Sequence, residues 1–99
     1  TPTPAGTFQI ANLVHTPTWY QSGKVVRPGP QNPLGPRWIG LSRKGYGIHG
    51  TNRPHSIGGA KSHGCIRMRN NDVKELFDAI TVGDIVELRA GPIETGSWY

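Results

Sequence analysis

The chain has 99 residues, which is enough for one small domain and too few for two. Eleven Lys and Arg residues against six Asp and Glu residues give a formal net charge of +5, which favours anionic partners. The basic residues are scattered along the sequence and no nucleic-acid-binding motif accompanies them. No apolar stretch approaches the length of a membrane span. The chain has a single cysteine, which excludes an internal disulfide.

The first half of the chain is predicted to form strands separated by a long loop. Fourteen Gly and nine Pro residues, with an apolar fraction of 34%, are typical of a turn-rich β domain. Alternating apolar residues predict strands at 6–14, 37–41 and 46–49. Residues 15–36 contain five prolines and are predicted to be a long functional connection. Trp19 and Tyr20 lie within it and are candidates to line a binding groove.

The second half contains the one convincing helix, predicted over residues 70–80. Asn70 or Asn71 is predicted to cap its first amides, and Gly83 to end it. An apolar face follows the spacing i, i+3, i+4, i+7 at Val73, Leu76, Phe77 and Ile80.

Two further strands are predicted to flank this helix, at 65–68 and 84–89. Residues 1–89 are therefore predicted to form one domain, and residues 90–99 a C-terminal tail. No internal repeat or low-complexity segment is present.

The residues that can carry chemistry lie in two segments, 48–51 (IHGT) and 62–68 (SHGCIRM). A thiol nucleophile requires a base within hydrogen-bond reach and amide donors for the developing oxyanion. Cys65 is the only thiol, and His49 and His63 titrate in the useful range. Gly64 lets the backbone approach closely beside Cys65.

Residue types alone leave three interpretations of this segment open. Cys65 is a nucleophile in the first and an inert buried side chain in the second. In the third, His49, His55 and His63 bind a metal ion. Structural zinc sites usually bring paired ligands at short spacing, such as Cys-x2-Cys, and these are absent.

Together the two segments resemble the signature of the YkuD-type L,D-transpeptidases. The opening TPTPAGTF resembles the family's TPxG-x-F segment, and residues 83–86 resemble its closing strand. The resemblance covers roughly residues 1–89 and implies a mainly β fold, an antiparallel β sandwich with one packed α-helix. Family members have further strands before the TPxG segment, so this domain is expected to lack the family's first strands.

The resemblance also implies a reaction. Cys65 attacks the carbonyl between the diamino acid of a peptidoglycan stem peptide and its terminal D-Ala, which forms a thioester. A second stem then gives a 3→3 cross-link, whereas water gives L,D-carboxypeptidase activity. His49 is the implied base, held by the Gly50 carbonyl, and its pairing with Cys65 is expected to lower the thiol pKa.

The remaining residues of the motif are expected to serve the same site. The amides of Gly64 and Cys65 are candidates for the oxyanion hole, and His63 for hydrogen bonding within the cysteine loop. The candidates for substrate binding are Arg67, Ser62, Trp19 and Tyr20. Trp38 and Tyr46 are predicted to be packing residues.

The expected partner is therefore the peptidoglycan stem peptide, with no nucleic acid and no membrane insertion. No metal and no cofactor are expected. The implied location is extracytoplasmic, in the cell wall or periplasm, and carbapenem β-lactams are expected to acylate Cys65. The alternative is a catalytically silent module that binds peptidoglycan through the same groove.

Overall fold

The computed structural model describes residues 6–53 and 65–89, in which seven strands and one helix form. The strands are β1 (Gly6–His15), β2 (Trp19–Gln21), β3 (Lys24–Val26), β4 (Arg37–Leu41), β5 (Gly47–His49), β6 (Cys65–Arg67) and β7 (Ile85–Leu88), and the helix is α1 (Asn70–Ala79). Five strands form one sheet in the order β6-β5-β4-β1-β7, and β2 and β3 form a separate hairpin. The fold is mainly β with one helix, as predicted.

All neighbouring strands of the large sheet run antiparallel except β5 and β6, which are parallel. The predicted strand at 37–41 matches β4, and the other predicted strands differ from the observed bounds by one or two residues. Residues 1–5 of the predicted TPxG-x-F segment and the predicted tail at 90–99 lie outside the described residues. In the described part of the chain, no helix has the length and apolar character that a bilayer crossing requires.

The two faces of the sheet have different compositions because successive residues of a strand point to opposite sides. One row of paired residues consists of Ile66, Ile48, Ile39 and Leu13. This row packs against α1 through Val73, and Ile39 and Val73 are fully buried. We call this side the helix face.

The opposite side, called the groove face, carries the alternate residues of the same strands. On β4, β5 and β6 these are Trp38, Gly40, Gly47, His49, Cys65 and Arg67. A bulge between Ile10 and Asn12 in β1 adds one residue, so that Ile10 and Leu13 both reach the helix face. The neighbouring Val14 is left on the groove face, paired with Trp38.

The helix bounds agree with the prediction within one residue, but the predicted capping residues are wrong. Arg69 occupies the N-cap position without a side-chain hydrogen bond, and Asn70 is the first helical residue. The helix ends at Ala79 and not at Gly83, because Ile80 already has an extended backbone. Gly83, with φ +98°, instead lies in the turn before β7, where its amide donates to the Ile10 carbonyl at 2.8 Å.

The long predicted connection contains the β2–β3 hairpin, organised by Asn32. This side chain is fully buried, and its Nδ2 lies 2.8, 3.1 and 3.2 Å from the carbonyl oxygens of Pro17, Val26 and Arg27. Its Oδ1 accepts from the Leu34 amide at 2.8 Å. The side chain of Asn32 therefore supplies hydrogen-bond partners to backbone groups of this loop, whose prolines have no backbone N–H to donate.

Candidate active site

The parallel pairing of β5 with β6 brings Cys65 and His49 together. Gly47 lies opposite Cys65, and His49 lies opposite Arg67, so all these residues share the groove face. His49 and Cys65 lie on the same face of adjacent strands, offset diagonally by two residues. Diagonal neighbours in a sheet lie about 7–8 Å apart, within reach of aromatic and long side chains. The strand register thus places the predicted base beside the predicted nucleophile.

The imidazole of His49 is held in one tautomer by the backbone. Its Nδ1 lies 2.5 Å from the Gly50 carbonyl oxygen, and the residue is only 7% exposed. Because a carbonyl oxygen can only accept, Nδ1 carries the proton and Nε2 keeps a lone pair in the neutral ring. Nε2 is therefore the nitrogen that can accept a thiol proton.

The side chain of Trp38 packs against one face of the His49 ring. Its ring stacks on His49 with centroids 5.8 Å apart and an interplanar angle of 23°. A Cβ on Gly47 would overlap the six-membered ring of Trp38, so the indole requires glycine at this position. Trp38 was predicted to be a packing residue, and the structure places it in the site. The signal was present in the alternation of β4, which sets Trp38 on the face opposite Ile39.

Electrostatics favour the uncharged forms of both groups. Burial lowers the pKa of His49 below its ordinary value, the Arg67 charge lowers it further, and the hydrogen bond to Gly50 opposes this. Burial raises the pKa of the Cys65 thiol, and the Gly47 backbone and Arg67 offset only part of that rise. Burial of Cys65 thus opposes the lowered thiol pKa that pairing with His49 is expected to give, because desolvation disfavours the thiolate.

The Cys65 Sγ lies 3.6 Å from the Gly45 carbonyl oxygen, to which a neutral thiol is a weak donor. A neutral thiol beside a neutral imidazole is suited to general-base activation at the moment of attack.

A groove of about 600 Å³ leads to the thiol between the sheet and the β2–β3 hairpin. Its lining is mostly apolar and consists of Val14, Thr16, Pro17, Thr18, Trp19, Tyr20, Leu34, Trp38 and Cys65. Trp19 is half-buried, whereas Tyr20 is 72% exposed. The structure thus brings both predicted aromatic residues to the same groove as Cys65. Arg67 is half-buried on the groove face beside His49.

Several predicted site residues lie outside the described residues. These are Ser62, His63 and Gly64, together with His55 of the metal interpretation. Within 6–53 and 65–89, no group of three or more His, Cys, Asp or Glu side chains is placed to hold a metal ion. The sequence also gave no sign of the contact between Asn70 and Thr51, in which Asn70 Oδ1 accepts from the Thr51 amide at 2.8 Å.

Comparisons with known proteins identify the family. The model of the L,D-transpeptidase catalytic domain, YkuD, matches residues 1–88. The chain is 46% identical over 86 residues to the putative L,D-transpeptidase YqjB of Bacillus subtilis (strain 168), covering 82% of this chain and 48% of that protein. It is 44% identical over 88 residues to the putative L,D-transpeptidase YkuD of Bacillus licheniformis, covering 89% of this chain and 46% of that protein.

A solved structure agrees with these sequence matches. The Ldtfm–avibactam carbamoyl enzyme aligns with a TM-score of 0.67 and 30% identity, over 93% of this chain and 37% of that one. The chain spans about half the length of the curated relatives that it matches.

Proposed function

The chain belongs to the L,D-transpeptidase catalytic-domain family, and on this premise we propose that it is a cysteine L,D-transpeptidase acting on peptidoglycan stem peptides. The observation that carries the proposal is the β5–β6 register, which puts His49 diagonally next to Cys65 on one face of the sheet, with Cys65 lining an open groove. The Nδ1–H tautomer of His49, held by the Gly50 carbonyl, leaves Nε2 to act as the base.

The proposed acylation begins with a neutral thiol. His49 Nε2 takes the Cys65 proton as the sulfur attacks the carbonyl carbon between the diamino acid and the terminal D-Ala. The C–N bond of that amide breaks, and the imidazolium returns the proton to the departing amine of D-Ala. The stem remains attached to Cys65 as a thioester.

The acyl group is then transferred. The side-chain amine of a second stem attacks the thioester carbonyl and gives a proton to His49. The C–S bond breaks, and the imidazolium passes this proton to the departing sulfur, which restores the thiol. The product is a 3→3 cross-link, whereas attack by water gives the free acid and L,D-carboxypeptidase activity. The amine is neutral when it attacks and must lose a proton as the new bond forms. His49 therefore acts as the base in both half-reactions.

Other residues of the motif take supporting roles in this proposal. The main-chain amides of Gly64 and Cys65 bind the oxyanion, and Ser62 and His63 hydrogen-bond within the cysteine loop or to substrate. The guanidinium of Arg67 binds a substrate carboxylate in bidentate fashion.

Trp19 and Tyr20 contact the stem peptide from the groove wall, where both are placed. Since peptidoglycan lies outside the cytoplasmic membrane, the protein acts in the cell wall or periplasm.

Intact-mass spectrometry with a stem tetrapeptide ending in D-Ala tests the acylation step. The parent protein is expected to gain the mass of the tetrapeptide less free D-Ala, with Cys65 as the modified residue. Cys65→Ala should form no adduct, and His49→Ala should form it far more slowly. A carbapenem provides a second acyl donor. Its β-lactam ring opens without releasing a leaving group, so the adduct should carry the whole carbapenem mass, and the two variants should respond as they do with the tetrapeptide.

The contrary outcome is equally defined. If the folded parent protein binds the tetrapeptide but neither donor forms an adduct, the enzyme proposal fails and the silent binding module replaces it. An adduct that persists in Cys65→Ala would contradict the assignment of the nucleophile.

A further inference from the structure

We infer that Asn70, the first residue of α1, is a positioning residue that orients the His49 base by holding the peptide group between Gly50 and Thr51. The inference rests on the proposed function, in which His49 Nε2 takes the thiol proton. Asn70 lies outside the two motif segments, and the inference adds it to the residues of the site.

The side-chain amide of Asn70 bonds to both backbone groups of Thr51. Its Oδ1 accepts from the Thr51 amide at 2.8 Å, and its Nδ2 donates to the Thr51 carbonyl at 3.0 Å. Thr51 is only 3% exposed, so water does not compete freely for these groups. Asn70 thus holds this residue as a neighbouring strand would, at the point where β5 has ended.

The contact between Asn70 and Thr51 affects His49 through a single planar peptide group. The Gly50 carbonyl and the Thr51 N–H belong to the same peptide group, in which they point in opposite directions. Asn70 Oδ1 accepts from the N–H on one side, and on the other side the carbonyl oxygen accepts from His49 Nδ1. Rotation of that peptide would break both bonds, so fixing the N–H also fixes the acceptor that selects the His49 tautomer.

The packing around this peptide leaves little room for rotation. A Cβ on Gly50 would overlap Asn70 Oδ1 and would approach Pro36 Cδ to 2.7 Å. A Cβ on Gly35 would lie 2.7 Å from the Gly50 carbonyl carbon. The chain before this point is also held, because the Met68 amide donates to the His49 carbonyl at 2.9 Å.

Helix capping does not explain the side chain of Asn70. The N-cap position belongs to Arg69, and no side-chain capping bond is present there. The hydrogen bonds of Asn70 go instead to a residue 19 positions away in sequence. The adjacent Asn71 is exposed and provides a matched control on the same helical turn.

The test compares Asn70→Ala, Asn70→Asp and Asn71→Ala by two readouts. The first is the 15N spectrum of the His49 ring, which reports the tautomer without requiring turnover. The parent and Asn71→Ala are expected to show a protonated Nδ1, whereas Asn70→Ala is expected to lose this preference. Asn70→Asp keeps an acceptor for the Thr51 amide and is expected to retain the preference. If Asn70→Ala does not fold, Asn70→Leu, which has a similar volume and makes neither hydrogen bond, replaces it and is expected to lose the preference.

The second readout is the single-turnover acylation rate with a carbapenem. Asn70→Ala is expected to acylate roughly 10- to 100-fold more slowly than the parent, with unchanged half-saturation, as when an orienting partner is lost. Asn71→Ala should match the parent, and Asn70→Asp should recover most of the rate.

These readouts separate the inference from the proposed function. If Asn70→Ala keeps the Nδ1 tautomer, or acylates as Asn71→Ala does, Asn70 does not position the base and the inference is overturned. If the parent forms no adduct but the tautomer still depends on Asn70, the proposed function fails and the positioning contact stands.

Discussion

The helix face and the groove face of the sheet are made from the same three strands, β4, β5 and β6, and they meet different requirements. On the helix face each strand contributes one isoleucine to a single row, packed under Val73 of α1. On the groove face the same strands carry glycine, tryptophan, histidine, cysteine and arginine. Packing on the helix face requires apolar side chains of the right volume. The groove face requires glycine at position 47 beneath the Trp38 ring, and polar side chains held in fixed positions.

This difference predicts that substitutions at neighbouring residues of one strand affect different properties of the protein. Ile48 and His49 are adjacent and both are buried, at 5% and 7% exposure. Burial alone therefore does not distinguish them. Loss of the first should reduce stability, and loss of the second should reduce the reaction rate.

The largest effect is expected for His49→Gln on the groove face. Glutamine cannot accept a proton at neutral pH, so the single-turnover acylation rate should fall roughly 100- to 10,000-fold. Urea unfolding should show a smaller loss of stability than replacement of Ile48 causes. A rate within tenfold of the parent would remove His49 from the role of base.

Ile48→Ala should show the opposite pattern on the helix face. Removal of this buried side chain should lower the free energy of unfolding by about 2–5 kcal/mol, since lost transfer energy and a residual cavity add together. The acylation rate per folded molecule should stay within a few-fold of the parent. A variant of unchanged stability would contradict the packing of this row.

Gly47→Ala tests the point where the groove face needs a small residue. The new methyl group overlaps the Trp38 ring, so we expect a loss of about 1–3 kcal/mol in stability, as for other overpacked sites, and slower acylation. The same change in a Trp38→Leu background should cost less, because the ring is absent. Equal costs in the two backgrounds, measured as a double-mutant cycle, would show that the two residues are not coupled.

The smallest effect concerns the charge of Arg67 on the groove face. Arg67 lowers the pKa of both His49 and Cys65, so Arg67→Gln should raise both. In the pH profile of acylation, the acid limb reports protonation of His49, and the alkaline limb reports ionisation of Cys65. Both limbs should therefore move to higher pH, while Arg67→Lys should leave them near their parental positions. Movement in opposite directions would contradict this assignment.

The parent profile itself follows from the same directions. Burial lowers the pKa of His49, so the acid limb should have its midpoint below about 6.5, the ordinary imidazole value. A midpoint above that value would indicate that the imidazolium is stabilised instead. Acylation rates across this limb measure it directly.

Local patterns predicted the large elements well. Alternation located β1 and β4, and the i, i+3, i+4, i+7 pattern located α1, because each depends on residues that are close in sequence. The helix caps were wrong because Asn70, a good capping residue, is used elsewhere. The β2–β3 hairpin was missed because its strands have only three residues each, too few for a clear alternation, although its turn at Ser22 and Gly23 is local in sequence.

The chemistry of the site was partly predictable for the same reason. Short motifs predicted roles for Cys65, His49 and Gly50, and the structure places the first two on neighbouring strands and the third in contact with His49. Trp19 and Tyr20, predicted from a proline-rich connection, line the groove, and the roles of these residues stay predictions. Trp38 required knowledge of which strand lies beside β5. Asn70 required knowledge of which helix start meets the chain after His49.

The sequence by itself determined the alternation that separates an apolar face from a chemically diverse one, together with the thiol, the imidazole and the small residues between them. Only the tertiary structure decided that Gly47 pairs with Cys65, that Trp38 covers His49 and that Asn70 holds Thr51. The physical reason is that periodicity follows from backbone geometry within a strand or helix. Register and side-chain partners depend instead on which distant hydrogen-bonding groups the packed core brings together.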